Sequence, residues 1–315
     1  MQRQATQHYS QAKYADAYLF DGRAPQQPVR YFPSPAQAPV VLATLSYLRP
    51  TLERPYNTMF DPPDGEPREN CVYDAYQMRV TDARNITSPL SIDREGFALW
   101  DAPSAVANFL DEAAILNLYY KEVAELALAA TGATRAYVFD HLVRKRESSE
   151  SGRIALTMGR TGDGSKPGAN GRIHNDYSEA SGQKRLAMVL HAARQRDAIK
   201  RYSILNIWRS IKGPVLDTPL AVCDARSVDA RDLVCAEVRY QTRTGEIYLL
   251  THSNRHQWFY FSAMDRHEAL VFKQYDSQVS GVARFTPHVA FDHPHTPPDA
   301  PLRESIEARC LVVYD

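Results

Sequence analysis

Four cysteines in 315 residues is few, and Cys71, Cys223, Cys235 and Cys310 are scattered with no Cys-X-X-Cys pair. That spacing excludes a disulfide framework and a cysteine zinc site and predicts reduced core thiols. Net charge is also missing: 37 basic side chains balance 37 acidic ones, so nothing electrostatic favours nucleic acid or an anionic membrane as partner. No run approaches the roughly 18 apolar residues of a membrane-spanning helix. The stretch Met1 to Tyr14 is polar and lacks the apolar centre of a signal peptide. A cytoplasmic location is the expectation. No glycine-rich loop follows a strand at the head of an α/β unit, which argues against a methyltransferase. Gly162-Asp163-Gly164-Ser165-Lys166 lacks the Walker spacing of a phosphate loop. What remains is a protein for small molecules, with no feature that fixes its oligomeric state.

The hydrophobic share of 44% is enough to bury a substantial core. Residues 1–38, rich in Gln, Ala and Pro, read as an N-terminal arm, and residues 39–315 as one domain. A strand is expected at Val40–Leu45, then loop through Pro50, Pro55, Pro62, Pro63 and Pro67, then a strand at Cys71–Val80 with which Ile92–Leu99 pairs. Ala113, Leu116, Tyr120, Val123, Leu126 and Ala127 fall three and four apart and predict a helix over Ala105–Ala130, closed by Gly132. Arg135–Arg144 alternates as a strand. Lys145–Gly171 is charged and glycine-rich and reads as a long loop of the kind that forms lids. Ser178–Arg201 has helical periodicity. Beyond Tyr202 short strands recur at Tyr202–Arg209, Leu220–Cys223, Glu246–Leu250, His256–Phe261, Leu270–Tyr275, around His288, and at Ile306–Tyr314. Such spacing predicts a mainly β barrel or sandwich with flanking helices.

The chemistry centres on Ile173-His174-Asn175-Asp176-Tyr177. In an extended segment residues i and i+2 share a face, so the His174 imidazole and the Asp176 carboxylate reach one point. A second imidazole from far along the chain completes the two-His-one-carboxylate set that holds non-haem Fe(II) and leaves positions for O2 and a co-substrate. His288 is the first candidate for that third ligand; His256 and His252 are its rivals. Arg303, at the head of the last strand, is the first candidate to hold the distal carboxylate of a dicarboxylate such as 2-oxoglutarate as a bidentate pair. Arg309 is the second. Asn206 and Trp208 share one strand face and Arg209 takes the other. Asn206 is therefore a candidate for the pocket, with Tyr260, Lys273 and Tyr275 as further lining groups. For each of these last, a satisfied core residue is an equal alternative.

Three blocks carry a resemblance. They are Asn206-Ile207-Trp208-Arg209 leading to Pro219-Leu220-Ala221-Val222-Cys223-Asp224-Ala225-Arg226-Ser227, then His256-Gln257-Trp258-Phe259-Tyr260, and Phe285-Thr286-Pro287-His288-Val289-Ala290-Phe291 with Arg303-Glu304-Ser305-Ile306-Glu307-Ala308-Arg309. Over roughly residues 70–315 the chain resembles the oxidoreductase family that holds the cephamycin 7-hydroxylation component, the fungal aspergillic-acid hydroxylase/desaturases and gibberellin desaturase-like proteins. The resemblance implies a double-stranded β-helix (jelly roll), with the distal histidine on the penultimate strand and the co-substrate arginine on the last. It also implies Fe(II)/2-oxoglutarate dioxygenase chemistry, releasing succinate and CO2, in hydroxylation, desaturation or cyclisation of a specialised metabolite. The long Gly/Ser loop before His174, and Asn175-Asp176-Tyr177 where the family has a Val-Asp-Gln-like run, depart from the pattern and bear on the substrate. Two other readings stand beside this one: a cupin-like metal-dependent enzyme that does not use 2-oxoglutarate, and a non-enzymatic binding barrel whose His-X-Asp is incidental.

Overall fold

The computed structural model describes residues 18–19, 40–86, 88–145, 171–193 and 198–314. Most of the N-terminal arm, the loop after Lys145 and its Gly162–Lys166 segment lie outside them. In chain order the strands are β1 Tyr18–Leu19, β2 Val40–Leu48, β3 Tyr56–Thr58, β4 Tyr73–Asp82, β5 Phe97–Asp101, β6 Arg135–Lys145, β7 His174–Asn175, β8 Arg201–Ser210, β9 Leu220–Cys223, β10 Leu233–Arg239, β11 Thr244–Leu250, β12 Trp258–Tyr260, β13 Glu268–Asp276, β14 His288–Ala290 and β15 Glu304–Tyr314. The helices are α1 Glu112–Ala114, α2 Tyr120–Thr131 and α3 Glu179–Ala192, with a π-helical turn, Ile115–Tyr119, joining α1 to α2.

Six strands form one sheet in the order β1-β6-β15-β8-β13-β5, and nine form the other in the order β2-β4-β12-β9-β14-β7-β11-β10-β3. All pairings are antiparallel except β10 with β3 and β12 with β4. The sheets face each other across a cluster that joins Phe97, Trp208, Leu270 and Phe272 of the first to Leu220 and Val222 of the second. On the outer face of the six-stranded sheet, Leu205, Ile207, Ala308 and Cys310 pack against Val123, Ala124 and Ala127 of α2. Alternation thus divides β8 as its sequence requires: Leu205 and Ile207 outward to the helix, Trp208 inward. This is a mainly β jelly roll with few helices.

Three expectations need correction: the helical pattern over Ser178–Arg201 gives α3 only as far as Ala192, and Arg201 is the first residue of β8. The first helix begins at Glu112 rather than Ala105, because the Asp111 carboxylate accepts the Ala113 and Ala114 N–H groups as an N-cap. Val106 and Phe109 are nevertheless buried, which is why the apolar pattern ran on upstream. The Ile92–Leu99 segment does not pair with β4. Its N-terminal half is a turn in which the Ser91 carbonyl accepts from Arg94, Glu95 and Gly96, and β5 then pairs with β13. Gly132 closes α2 in the left-handed conformation, as expected.

Candidate metal centre

β7 and β14 are neighbours, and His174 stands directly opposite His288 in their pairing. Ile173 and Val289, one residue away on each, join the apolar layer behind the sheet, so the two imidazoles project between the sheets. Their ring centroids lie 4.3 Å apart, and the His288 ring meets Phe272 of the opposite sheet edge-on at 4.9 Å. Asp176, two residues after His174, reaches the same place: its Oδ1 is 3.4 Å from His174 Nε2. One ligand atom from each of His174, Asp176 and His288 lies within 4.8 Å of the other two. Metal–donor bonds of roughly 2.1 Å put neighbouring donors about 3 Å apart, so small side-chain adjustments bring all three onto one ion.

Hydrogen bonds orient the three side chains. His174 Nδ1 donates to the Arg172 carbonyl at 3.0 Å, which orients the ring so that Nε2 faces Asp176. Asp176 Oδ2 accepts from Asn206 Nδ2 at 2.9 Å and from Arg309 Nε at 3.0 Å. The second carboxylate oxygen is thereby occupied and Oδ1 is presented to the histidines. Burial alone would raise the Asp176 pKa, but the Arg309 guanidinium and His174 outweigh it and hold the carboxyl well below its usual range. Arg309 also binds Asp140 at 3.3 Å and Glu307 at 2.9 Å. Burial pushes the Glu307 carboxyl up, against the pull of Arg309.

Burial, with the neighbouring His174, lowers the His288 pKa from an ordinary 6.5 to about 3. The folded, metal-free protein therefore keeps His288 neutral while the unfolded chain takes up a proton near pH 6.5. Stability is full above that pH and falls as the pH drops from about 6.5 towards 3, by about 1.4 kcal/mol per unit. Thermal unfolding of the metal-free protein at about pH 7.5 and pH 5.5 should show the lower Tm at pH 5.5. An equal fall in His288→Ala would assign the effect elsewhere.

The other candidates lie apart. His256 binds Asp232 through Nε2 and Tyr47 through Nδ1, both at 3.2 Å, and Tyr47 and Trp258 beside it belong to the layer behind the nine-stranded sheet. His252 stacks on Tyr76 at 3.8 Å. Lys273 binds Asp93 and Asp276, and Tyr275 donates to Glu179. Arg303 is buried; its Nη1 donates to the Thr218 carbonyl at 2.8 Å and its guanidinium lies 5.5 Å from the centre of the Trp208 ring. Ser305, two residues on, is buried with no hydrogen-bond partner for its hydroxyl, and Asn206 Oδ1 is in the same condition.

The fold and this donor set define a class: jelly-roll proteins with two histidines and a carboxylate gathered between their sheets. A family described as YDMC, "Oxidoreductase/YMDC permease-like domain", matches residues 45–313. The hydroxylase/desaturase efuI of Hormonema carpetanum is 31% identical over 296 residues, 89% of this chain and 97% of the relative. The Fe(II)/2-oxoglutarate-dependent dioxygenase nvfI of Aspergillus novofumigatus is 32% identical over 262 residues, 80% of this chain and 88% of the relative. Among solved structures, the iron and alpha-ketoglutarate-dependent endoperoxidase NvfI superposes with a TM-score of 0.74 at 28% identity, covering 88% of this chain and 99% of its own. The chain belongs to this oxidoreductase family of hydroxylase/desaturases and Fe(II)/2-oxoglutarate-dependent dioxygenases.

Proposed function

We propose that His174, Asp176 and His288 hold Fe(II), that Arg303 binds the distal carboxylate of 2-oxoglutarate, and that residues 39–315 act as one oxygenase domain. The enzyme is an Fe(II)/2-oxoglutarate-dependent dioxygenase that hydroxylates or desaturates a small specialised metabolite. The observation that carries this reading is the convergence of the three ligand atoms within 4.8 Å of one another between facing sheets. With O2, Fe(II) and 2-oxoglutarate supply an oxidative decarboxylation, to succinate and CO2, whose oxidising power is directed at an unactivated C–H bond.

The chain's own residues bind, aim and exclude water. Asn206 and Arg309 hold Asp176 so that one oxygen faces the ion. The Arg172 carbonyl holds His174. Arg303, immediately before β15, has a buried guanidinium two residues from Ser305, whose hydroxyl has no hydrogen-bond partner among the described residues and is a donor suited to the same carboxylate. Phe272 meets the His288 ring edge-on and belongs, with Trp208, Leu220 and Val222, to the apolar cluster between the sheets. No side chain is needed as acid or base for hydrogen abstraction. Among the described residues no helix is long and apolar enough to cross a membrane. A cytoplasmic site of action belongs to the same reading and is supported by four free cysteines.

Purified protein titrated anaerobically with Fe(II) and 2-oxoglutarate should develop the weak visible charge-transfer band of the chelate, and in air it should release succinate in proportion to turnover of a metabolite from a candidate library. Iron binding without that band favours a cupin-like enzyme; no iron binding leaves a binding barrel.

A further inference from the structure

The two strands that bring the candidate ligands together are short. β7 has two residues and β14 three, and their pairing is the single His174–His288 register pair. So slight a ladder leaves few backbone bonds to set the spacing of ligands from two distant parts of the chain. Two buried side-chain amides, Asn175 and Gln274, supply the missing bonds; both are fully buried.

Gln274 comes from β13, in the opposite sheet. Its Oε1 accepts the Asp176 N–H at 2.7 Å and its Nε2 donates to the Thr286 carbonyl at 3.0 Å. Thr286 stands two residues before His288. Asn175, between His174 and Asp176, accepts the Thr286 N–H through Oδ1 at 3.0 Å and donates to the Gln274 carbonyl at 2.9 Å and the Tyr177 carbonyl at 2.7 Å. Both backbone groups of Thr286 are therefore held by amides that also hold the His174–Asp176 segment. Its hydroxyl donates to the Gly96 carbonyl at 3.2 Å. Gly96, with φ of +94°, tolerates that approach because a Cβ there would collide with the Thr286 hydroxyl oxygen.

We infer that Gln274, with Asn175, is a positioning residue for the metal centre: the amide pair fixes the distance between the His174–Asp176 arm and the His288 arm. It acts through the backbone at Asp176 and Thr286. Such outer partners typically govern metal affinity by 10–100-fold, because a set of donors free to drift must be reorganised each time it closes on an ion.

The inference rests on the reading that the triad binds a divalent metal, and the test separates the two. Full-length wild type, Gln274→Met and Gln274→Glu are titrated with Mn(II), the free ion being counted by its electron paramagnetic resonance signal, with Tm recorded for each. Gln274→Met keeps an unbranched side chain of similar size without either hydrogen bond. Gln274→Glu keeps the acceptor for Asp176 and sets a carboxylate against the Thr286 carbonyl; it carries the test if the methionine variant fails to fold. Asn57→Ala is the control for general destabilisation. Asn57 is a buried amide on β3, with β10 and β11 between it and β7, bound to Glu69 at 3.0 Å. The expected result is Mn(II) binding weakened about 10–100-fold in the Gln274 variants and unchanged in Asn57→Ala at a similar loss of Tm. Folded Gln274 variants that bind Mn(II) within about twofold of wild type overturn the positioning role alone. A wild type that binds no Mn(II) overturns the metal reading and this inference with it.

Discussion

His174→Ala, Asp176→Ala and His288→Ala should each fold and each lose metal and turnover together. Metal affinity should drop by more than the 10–100-fold cost of outer-shell changes, since a donor itself is removed. Succinate formation should fall by about a thousandfold or more, the equivalent of about 4 kcal/mol of charge stabilisation by the ion. Folding survives for a reason that can be read in the site. Removing Asp176 leaves Arg309 with Asp140 and Glu307, so no buried cation is stranded. Removing His288 takes away a ring that the fold holds neutral. His256→Ala is the informative contrast. Its loss strips partners from Asp232 and Tyr47 behind the sheet and should lower Tm while metal stoichiometry stays at wild type. If His288→Ala kept its ion and His256→Ala lost it, the third ligand would move to His256.

Local periodicity made much of this legible. The two-residue repeat of extended chain pointed His174, in β7, and Asp176, just past its end, to one place, and the alternation in β8 sent Asn206 and Trp208 inward and Arg209 away, where its Nε meets the Tyr119 hydroxyl. Other features depend on pairings that no local pattern encodes. Arg309 reaches Asp176 because β15 and β8 place it opposite Asn206, so one carboxylate oxygen collects both side chains. β10 escaped notice because its half-exposed, charge-bearing sequence, Leu-Val-Cys-Ala-Glu-Val-Arg, makes a strand chiefly by pairing with β11. Gln274 was illegible for the opposite reason. All nine residues of β13 are buried, so there is no alternation from which to tell which way a side chain points. The one available sign was an amide beside the apolar run Leu270–Phe272, and a buried amide must find partners.

Arg303, just before the last strand, and Arg309, within it, should fail in different ways, and this decides between them as co-substrate clamp. Arg309 is already committed to Asp176, Asp140 and Glu307, with three carboxylates outweighing the burial that opposes its charge. Arg309→Met should therefore loosen Asp176 and weaken metal binding. It also strands acidic groups, so a drop in Tm accompanies it. Arg303 instead donates to the Thr218 carbonyl and lies over the Trp208 ring. Arg303→Met should leave Mn(II) affinity alone and raise the KM for 2-oxoglutarate. Losing one side of a buried charge pair costs about 2–5 kcal/mol, so the rise should be about 30-fold or more. Arg303→Lys should recover only part of it, because an ammonium cannot make the two parallel bonds of a guanidinium to a carboxylate. A monocarboxylate keto acid supplies the cross-check: without a distal carboxylate it should bind wild type and Arg303→Met alike. If instead Arg303→Met left the 2-oxoglutarate KM within about twofold while Arg309→Met raised it at unchanged metal affinity, the clamp would be Arg309, and its contacts with Asp140 and Glu307 would have to open to admit the co-substrate.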